Sequence, residues 1–251
     1  MRLITLGTGG CFATPTRQAP CAAVEVENEW LIFDAGENTW RRLAAAKVPP
    51  EQISAILLTH FHGDHIGGLA PLLFGLYAEQ QRKQPLLIAG PNGLDDVRLG
   101  LAQAFGDWLN DPGFELNWLI FDPPGARDFP GVCVSYELVE HSPSLTCLGY
   151  RITTGNKTLA VSGDTGICEG LRKLAQDADV LLVEAGSPDD LPLPGHVTPT
   201  ALGTMAAEVG VKKIVLTHFS DPALAEPLTV ATQKAFGGEV VAANDGDVFL
   251  I

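Results

Sequence analysis

The stretch LLTHFHGDHIGGL, residues 57–69, places three histidines and one aspartate within six positions, directly after an apolar run. The chain has only six histidines among its 251 residues, so half of them fall in this segment. The preceding run SAILLT is rich in aliphatic residues and predicts a strand that ends at the first histidine. Alternate residues of an extended segment share a face, so His60 and His62 can bind one metal ion. Asp64 and His65 follow a tight glycine-containing turn, and we expect them to bind a second ion nearby.

The other histidines follow a similar pattern, in which a polar residue comes at the end of an apolar strand. His141 ends VSYELVEH and His218 ends IVLTH, while Asp164 follows the apolar stretch TLAVSG. His196 lies in the Pro- and Gly-rich stretch LPGHVTP, just before a predicted helix. Layered α/β folds build sites from residues at the carboxyl ends of strands. We therefore expect these side chains to share a metal centre with the HFHGDH segment.

Strand and helix patterns are distributed along the whole chain. Apolar or β-rich runs such as LITLG, WLIFD, PLLIAG and DVLLVEA predict strands, and stretches such as NTWRRLAAAKV and the segment 66–83 predict helices. ILLTHF at 56–61 and IVLTHF at 214–219 are nearly the same string, which indicates two similar halves. Early hairpins followed by alternating strands and helices favour sheet layers with helices outside. No linker divides the sequence, so we predict one domain over residues 1–251.

Composition limits the classes of function. The chain carries 30 acidic and 16 basic residues, a formal net charge of −14 that disfavours nucleic acids and other polyanions as partners. No apolar run reaches the roughly 18 residues that a membrane span needs. The start MRLITLGTGG has no charged-then-apolar leader. Five scattered cysteines without a C-x-x-C pair are typical of free thiols in a reducing compartment, so we expect a cytoplasmic location.

The order of these residues resembles the metallo-β-lactamase superfamily, in which an H-x-H-x-D-H motif and three downstream ligands bind two metal ions. Here the motif is HFHGDH, and the downstream residues are His141, Asp164 in SGDT and His218. Further stretches resemble the ribonuclease Z branch and its phosphodiesterase relatives, namely LGTGG, LIFDAGENT, HSPSLTCLGYRI, LLVEA, HVTPTA and KKIVLTHFS. The resemblance extends from residue 3 to about residue 220.

The resemblance implies an αββα sandwich, an α/β fold with the metals at the edge between two sheets. It also implies two sets of ligands that share one bridging aspartate: His60, His62 and His141 for one ion, Asp64, His65 and His218 for the other, and Asp164 between them. Mixed histidine and aspartate sites accept zinc, manganese or iron. We expect two divalent ions, with Zn²⁺ as the first choice and Mn²⁺ or Fe²⁺ as alternatives.

The resemblance further implies catalytic residues beside the metals. The histidine of the HxT segment, here His196, contacts the scissile phosphate or protonates the leaving group, and Glu184 of LLVEA orients it. Asp34 of IFDAGE either supports the metal ligands from behind or only forms a turn. Two ions about 3.5–4 Å apart can share a hydroxide that attacks a phosphodiester, and Asp64 can assist the attacking water.

We therefore predict an enzyme, a dinuclear metal-dependent hydrolase of small or cyclic phosphodiesters. Ribonuclease Z carries a long tRNA-gripping arm between the third-motif histidine and the bridging aspartate, whereas only 23 positions separate His141 from Asp164. The missing arm and the acidic charge argue against tRNA as a substrate. Three alternatives stay open: hydrolysis of a lactone, carboxylic ester, sulfate ester or phosphotriester; a ribonuclease Z-type tRNA 3′-endonuclease; and a non-catalytic protein, which the complete ligand set disfavours.

The stretch 66–125 is predicted to be a helical and aromatic segment flanking the site. Phe105, Trp108, Phe114 and Trp118 make its part from 105 to 121 strongly aromatic. Packing against the core is the simpler interpretation, and an apolar wall or dimer surface beside the metals is the alternative. Relatives in this branch are commonly dimers, so we expect a homodimer. The expected partner is a small-molecule ester substrate, with no membrane involved.

Overall fold

In the computed structural model of the protein, two β-sheets lie face to face and carry helices on both outer faces. The structure describes residues 1–80 and 82–251, so Gln81, within the predicted helix 66–83, lies outside the described residues. The predicted αββα sandwich is confirmed.

The strands and helices are numbered along the chain. The first sheet contains β1 (Arg2–Gly7), β2 (Cys21–Val26), β3 (Glu29–Phe33), β4 (Ile53–Leu57), β5 (Leu86–Gly90), β6 (Leu116–Ile120) and β14 (Val248–Leu250). The second contains β7 (Gly125–Phe129), β8 (Val132–Val139), β9 (Cys147–Thr154), β10 (Lys157–Val161), β11 (Val180–Glu184), β12 (Lys213–Thr217) and β13 (Glu239–Ala242). The helices are α1 (Thr39–Ala45), α2 (Gly63–Ile66), α3 (Leu69–Glu79), α4 (Leu94–Phe105), α5 (Glu169–Ala175), α6 (Pro199–Glu208) and α7 (Ala225–Phe236).

The two sheets share the same pattern of strand directions. Their orders are β14-β1-β2-β3-β4-β5-β6 and β13-β12-β11-β10-β9-β8-β7. In the first sheet the pairs from β14 to β3 are antiparallel and those from β3 to β6 are parallel. In the second, the pairs from β7 to β10 are antiparallel and those from β10 to β13 are parallel. Each sheet thus has a parallel half whose strand ends can deliver polar residues to a site.

Alternation along the strands separates the two faces of each sheet. In β3, Leu31 and Phe33 belong to the core between the sheets, whereas Trp30 and Ile32 belong to the core beneath the helices. Phe33 meets Tyr150 of β9 between the sheets, with ring centroids 5.5 Å apart. Burying one large apolar side chain contributes roughly 1.5–3 kcal/mol. This shared core fixes the two sheets relative to each other, and so positions the loops at their ends.

Helices cover the outer face of each sheet through separate apolar clusters. Leu43 of α1, Leu72 of α3 and Leu94 of α4 pack on the first sheet. Leu171 of α5 and Leu202 of α6 pack on the second. None of the helices in the described part of the chain combines the length and the apolar character that crossing a bilayer requires.

Some elements differ from the sequence-based expectations. β7 (GARDF) and β13 (EVVA) were not predicted as strands, because GARDF has no alternating apolar pattern and EVVA has only four residues. The predicted helix 66–83 is α3, which starts only after Gly67 and Gly68 and ends at Glu79. The segment 66–125 contains two strands, β5 and β6, besides its helices.

The aromatic side chains of that segment pack mainly on the core. Trp108, Phe114 and Trp118 are partly buried against the cluster beneath α1, α3 and α4. Phe105, at the end of α4, is exposed. Phe121 is buried in the core between the sheets, so the simpler interpretation as core packing accounts for four of the five large aromatic residues from 105 to 121.

Candidate metal centre

Loops and one helical turn at the strand ends bring together all seven predicted metal ligands. His60 follows β4, His62 precedes α2, Asp64 and His65 lie within α2, and His141, Asp164 and His218 follow β8, β10 and β12. These residues form two groups, and within each group one donor atom per residue lies within 4.8 Å of the others. The two sheets contribute to both groups.

The first group contains three histidines and the shared aspartate. Nε2 of His60 lies 2.9 Å from Nδ1 of His62, and Nε2 of His141 lies 3.1 Å from that same Nδ1. Oδ2 of Asp164 is 3.8 Å from Nε2 of His141. The expectation that His60 and His62 point to one side is met in this geometry.

The second group joins α2 to the loop after β12. Nε2 of His65 lies 3.3 Å from Nε2 of His218. Oδ2 of Asp64 lies 3.4 Å from the same atom of His218. Asp164 reaches this group as well, because its Oδ1 is 3.3 Å from His65 and its Oδ2 is 3.3 Å from His218. Its carboxylate therefore stands between the two groups.

The spacing and chemistry of these atoms fit divalent metal ions. A tetrahedral ion with ligands at about 2.1 Å holds neighbouring donors roughly 3.4 Å apart, and the contacts above range from 2.9 to 3.8 Å. Oδ1 of Asp164 is buried, and no hydrogen-bond donor reaches it among the described residues. Imidazole and carboxylate donors in this mixture suit zinc, manganese or iron.

Asp34 holds the ligands of both groups from behind. Its Oδ2 lies 2.7 Å from Nδ1 of His65, which must donate because a carboxylate only accepts. Its Oδ1 accepts the backbone N–H of Thr59 at 2.7 Å. The Thr59 hydroxyl donates to the same carboxylate and lies 3.0 Å from Nδ1 of His60. These contacts leave Nε2 of both histidines free to bind a metal.

Asp34 also adopts the turn conformation that was the alternative interpretation. Its φ is 58°, in the left-handed region that aspartate tolerates better than most residues, and His218 has φ 60°. Asp34 thus combines hydrogen bonds to His65 and Thr59 with the backbone conformation of a turn. Strained backbone at two residues of one site is typical of functional positions.

A carbonyl group orients the third histidine of the first group. Nδ1 of His141 donates to the backbone oxygen of Gly195 at 3.0 Å. Gly195 has φ 76°, and a Cβ at this position would overlap the carbonyl oxygen of His141. The loop that carries His196 thus packs directly on a residue of the centre.

His196 and Glu184 form a pair beside the two donor groups. Nδ1 of His196 lies 2.9 Å from each carboxylate oxygen of Glu184. Oε1 of Glu184 also accepts the backbone N–H of Thr165 at 2.7 Å. The His196 ring centroid is 4.7 Å from that of His141 and 6.3 Å from that of His218. Burial, and then the charge of Asp164, raise the pKa of Glu184 well above its usual value.

The histidines of the two groups have opposite tendencies to ionise. Burial, followed by the charge of His65, lowers the pKa of His60 to about 2. Burial also lowers the pKa of His62 and His141. Neutral imidazoles keep the lone pair that a metal needs.

Carboxylates dominate the second group. Burial opposes the charged form of His65, but Asp164 and Asp34 outweigh it and raise its pKa well above the ordinary value. Asp164 likewise raises the pKa of His218 against burial. The pKa of Asp64 falls to about 2, because the hydrogen bond from His218 and the charge of His65 outweigh burial. This side of the site attracts positive charge, which a divalent cation supplies.

Several features of the site were not predicted. Thr59 and Gly195 hold His60 and His141 in place, although neither has a side chain typical of metal ligands. The one indication for Thr59 was its recurrence in the repeated Thr-His-Phe string. Gly63 lies at the expected turn, but this turn does not require a glycine. Gly63 begins the one-turn helix α2, and a Cβ there would meet nothing within 4 Å.

Comparisons with known proteins agree on the fold. The chain matches the family model described as a beta-lactamase superfamily domain over residues 29–219. A ribonuclease Z from Methanosarcina acetivorans is 28% identical over 295 aligned positions, covering 96% of this chain and 95% of that protein. The crystal structure of human tRNase Z, short form, has a TM-score of 0.80 at 27% identity, covering 100% and 99% of the two chains. The metallo-β-lactamase fold protein YhfI from Bacillus subtilis has a TM-score of 0.85 and covers 99% and 98%, but at 23% identity it shows the fold alone.

Because two of these relatives are named as ribonuclease Z or tRNase Z, the comparisons do not support the expectation that tRNA is an unlikely substrate. The segment that matches the family model runs from the start of β3 to just beyond His218, and so includes every residue of both donor groups. The chain belongs to the metallo-β-lactamase superfamily and is a metal-dependent hydrolase.

Proposed function

We propose that this protein is a phosphodiesterase that hydrolyses small or cyclic phosphodiesters with two divalent ions, Zn²⁺ first and Mn²⁺ or Fe²⁺ as alternatives. The proposed ligands of one ion are His60, His62 and His141, those of the other are Asp64, His65 and His218, and Asp164 binds both. When bound, such ions make a nucleophile available from water at neutral pH and neutralise charge on phosphoryl oxygens.

The pairing of His196 with Glu184 is the observation that carries this proposal. With Nδ1 committed to the carboxylate, Nε2 of His196 is the nitrogen that can exchange a proton with a substrate. The ring is partly exposed and lies close to ligands of both groups. Departure of an alkoxide from phosphorus needs a proton more than attack on an ester carbonyl does. The pair therefore favours phosphate, or sulfate, over lactones and carboxylic esters.

The remaining catalytic roles belong to carboxylates. Asp64 is poised to accept a hydrogen bond from the attacking water, since its pKa of about 2 keeps it ionised. Glu184 keeps the ring of His196 in place and stabilises it when it carries a second proton. In this arrangement proton transfer occurs at Nε2 of His196, and Asp64 directs the water.

The size of the substrate is inferred from the chain between His141 and Asp164. β9 and β10 are joined only by Gly155 and Asn156, so the two strands and their short turn occupy most of this interval. The alignment with the Methanosarcina acetivorans ribonuclease Z has 295 positions, whereas this chain has 251 residues, so at least 44 positions of that relative have no counterpart here. The net charge of −14 adds a penalty for any polyanion.

A ribonuclease Z-type tRNA 3′-endonuclease is the second candidate. It is favoured by the names of relatives that align over almost the whole chain. Both candidates use the same metal centre and break the same kind of bond, so they differ in what the surface around the centre binds.

One experiment separates these candidates. The protein loaded with Zn²⁺ or Mn²⁺ is assayed with bis(p-nitrophenyl) phosphate and with a 3′-extended precursor tRNA, beside Asp164→Ala as a control. Turnover of the diester that the control lacks, without tRNA cleavage, supports the first candidate. Specific cleavage of the tRNA 3′ extension establishes the second. A fully metallated protein that cleaves neither directs the assay to lactones, carboxylic esters, sulfate esters and phosphotriesters.

We also propose that residues 1–251 form one hydrolase domain, that the protein is a homodimer and that it is cytoplasmic. Analytical ultracentrifugation measures directly whether the protein is a monomer or a dimer. Limited proteolysis that yields no stable fragment supports the single domain, and fractionation of cells tests the location.

A further inference from the structure

A groove of about 980 Å³ opens beside the metal centre on the side of Asp64. The loop from Gly10 to Ala19, between β1 and β2, forms one wall, and α2 with the start of α3 forms another. Small-molecule sites commonly measure roughly 300–1,000 Å³. The groove is therefore large enough for a group attached to a phosphate that reacts at the centre.

An exposed aromatic ring stands in this groove. Phe12 is 64% exposed, although its ring is apolar. Among the residues lining the groove, all within the described chain, it is the only Phe, Tyr or Trp. A flat ligand stacked on the ring would remove apolar surface of both partners from water. The position of Phe12 thus favours a flat group on the substrate.

The charges of the groove exclude a second phosphate. Arg17 lines the groove, but its guanidinium donates to Oγ1 of Thr8 at 2.7 Å and to the carbonyl of Ala243, and it lies over the ring of Phe219. Apart from Arg17 and the proposed metal ligands, Glu37 is the one charged residue among these described lining residues, and it is acidic. No uncommitted cation is found among these described residues. These charges disfavour a further anionic group and impose no electrostatic penalty on a neutral one.

Two amide side chains at the end of the groove can recognise a polar edge. Nδ2 of Asn38 donates to Oε1 of Gln18 at 2.9 Å. Oδ1 of Asn38 and Nε2 of Gln18 have no hydrogen bond of their own within residues 1–80 and 82–251. One free acceptor and one free donor among the lining residues suit a polar heteroaromatic ring better than a plain hydrocarbon.

We propose that Phe12 determines substrate specificity by stacking on an uncharged heteroaromatic group of the substrate. This rests on the proposed function and names the substrate class within it: a small phosphodiester that carries one uncharged nucleoside-like group. That group lies on Phe12, with its polar edge towards Asn38 and Gln18, while the phosphate lies at the metal centre.

Binding of product-like monoesters tests this without turnover. Thymidine 5′-phosphate and methyl phosphate carry the same phosphate and differ only in the attached group. Isothermal titration calorimetry is run on the Zn²⁺-loaded protein and on Phe12→Ala, Phe12→Tyr and Phe105→Ala. Phe105 is a matched control, because it is also an exposed phenylalanine but does not line the groove.

Base stacking on an aromatic side chain corresponds to about a tenfold change in affinity. We expect the wild type to bind thymidine 5′-phosphate about tenfold more tightly than methyl phosphate, and Phe12→Ala to lose this preference while binding methyl phosphate normally. Phe12→Tyr restores the preference and Phe105→Ala retains it. An unchanged preference in Phe12→Ala overturns the inference, and does so even if bis(p-nitrophenyl) phosphate is hydrolysed. If the preference depends on Phe12 but the protein hydrolyses no diester, the proposed function alone is overturned.

Discussion

The imidazole of His196 is held through Nδ1 by both carboxylate oxygens of Glu184, each at 2.9 Å. Glu184 is the last residue of β11 and is buried, whereas His196 lies in a loop and is partly exposed. A buried carboxylate therefore positions a ring that lies close to histidines of both donor groups.

His196→Ala should slow hydrolysis most when the leaving group is poor. A general acid contributes roughly 10²–10⁴-fold, and little of this is needed when p-nitrophenolate departs. Rates for aryl phosphodiesters of increasing leaving-group pKa should therefore fall more steeply in the variant than in the wild type. Metal content, measured by mass spectrometry, should be unchanged. Equal losses for all leaving groups would show that His196 does not protonate them.

Glu184→Gln should act through His196 rather than on its own. The variant keeps the size of the side chain but cannot stabilise a doubly protonated ring, so it should show the same leaving-group dependence with a smaller loss. Combining Glu184→Gln with His196→Ala should add little to His196→Ala alone. Fully multiplicative losses in the double variant would contradict the pairing.

Asp34→Asn should weaken metal binding without changing the ligands. Loss of a carboxylate behind metal-binding histidines typically costs 10–100-fold in affinity, that is, about 1.4–2.8 kcal/mol. Asparagine tolerates the left-handed backbone found at this position, φ 58°. Competition with a chromophoric chelator measures the affinity, and Asp111→Asn, which makes the same change at an exposed aspartate outside both donor groups, is the control. An affinity equal to that of the wild type would leave Asp34 with only its role in the turn.

Gly195→Ala and Gly237→Ala form a matched pair for the loop beside His141. Both glycines have φ 76°, but a Cβ at Gly195 would overlap the His141 carbonyl, whereas at Gly237 it meets nothing within 4 Å. Both variants should lose stability, by about 1–3 kcal/mol, from backbone strain. Only Gly195→Ala should also lose activity, because it displaces the acceptor of His141. Thermal unfolding and kcat/KM measured together distinguish the two effects.

Removing the metal should lower the melting temperature and abolish activity. Ions that bind only the folded state stabilise it by about 2.7 kcal/mol at a free concentration one hundred times Kd, which corresponds to roughly 5–10 °C for a chain of this size. Dialysis against a chelator followed by addition of Zn²⁺ should lower and restore both quantities. Asp164→Ala should show little response to added metal. A wild-type melting temperature that ignores both treatments would contradict the proposed centre.

Strand ends and their polar residues could be predicted from the sequence because each depends on a local pattern. The histidine after β4 and the one after β12 follow apolar runs that are nearly identical, and both lie where that pattern indicated. Strand β7 could not be predicted because its five residues lack an alternating apolar pattern, and β13 could not because its four residues give too short a pattern.

Contacts of the backbone were the main part of the site that the sequence did not indicate. The carbonyl of Gly195 orients His141, although 54 positions separate the two residues. Nothing in a glycine side chain signals this role, which follows from how the His196 loop packs. The role of Thr59 is also difficult to predict from the sequence, because it depends on the contact between the Thr59 hydroxyl and Asp34.

Both donor groups contain residues that follow strands of both sheets, which determines when each group is completed during synthesis. His60, His62, Asp64 and His65 come from the first half of the chain, but the remaining donors come from the second. A growing chain that has reached Asp164 can complete one group, while the other still lacks His218. Complete donor groups therefore exist only late in synthesis, and any ion that they bind joins two parts of the chain that are made at different times.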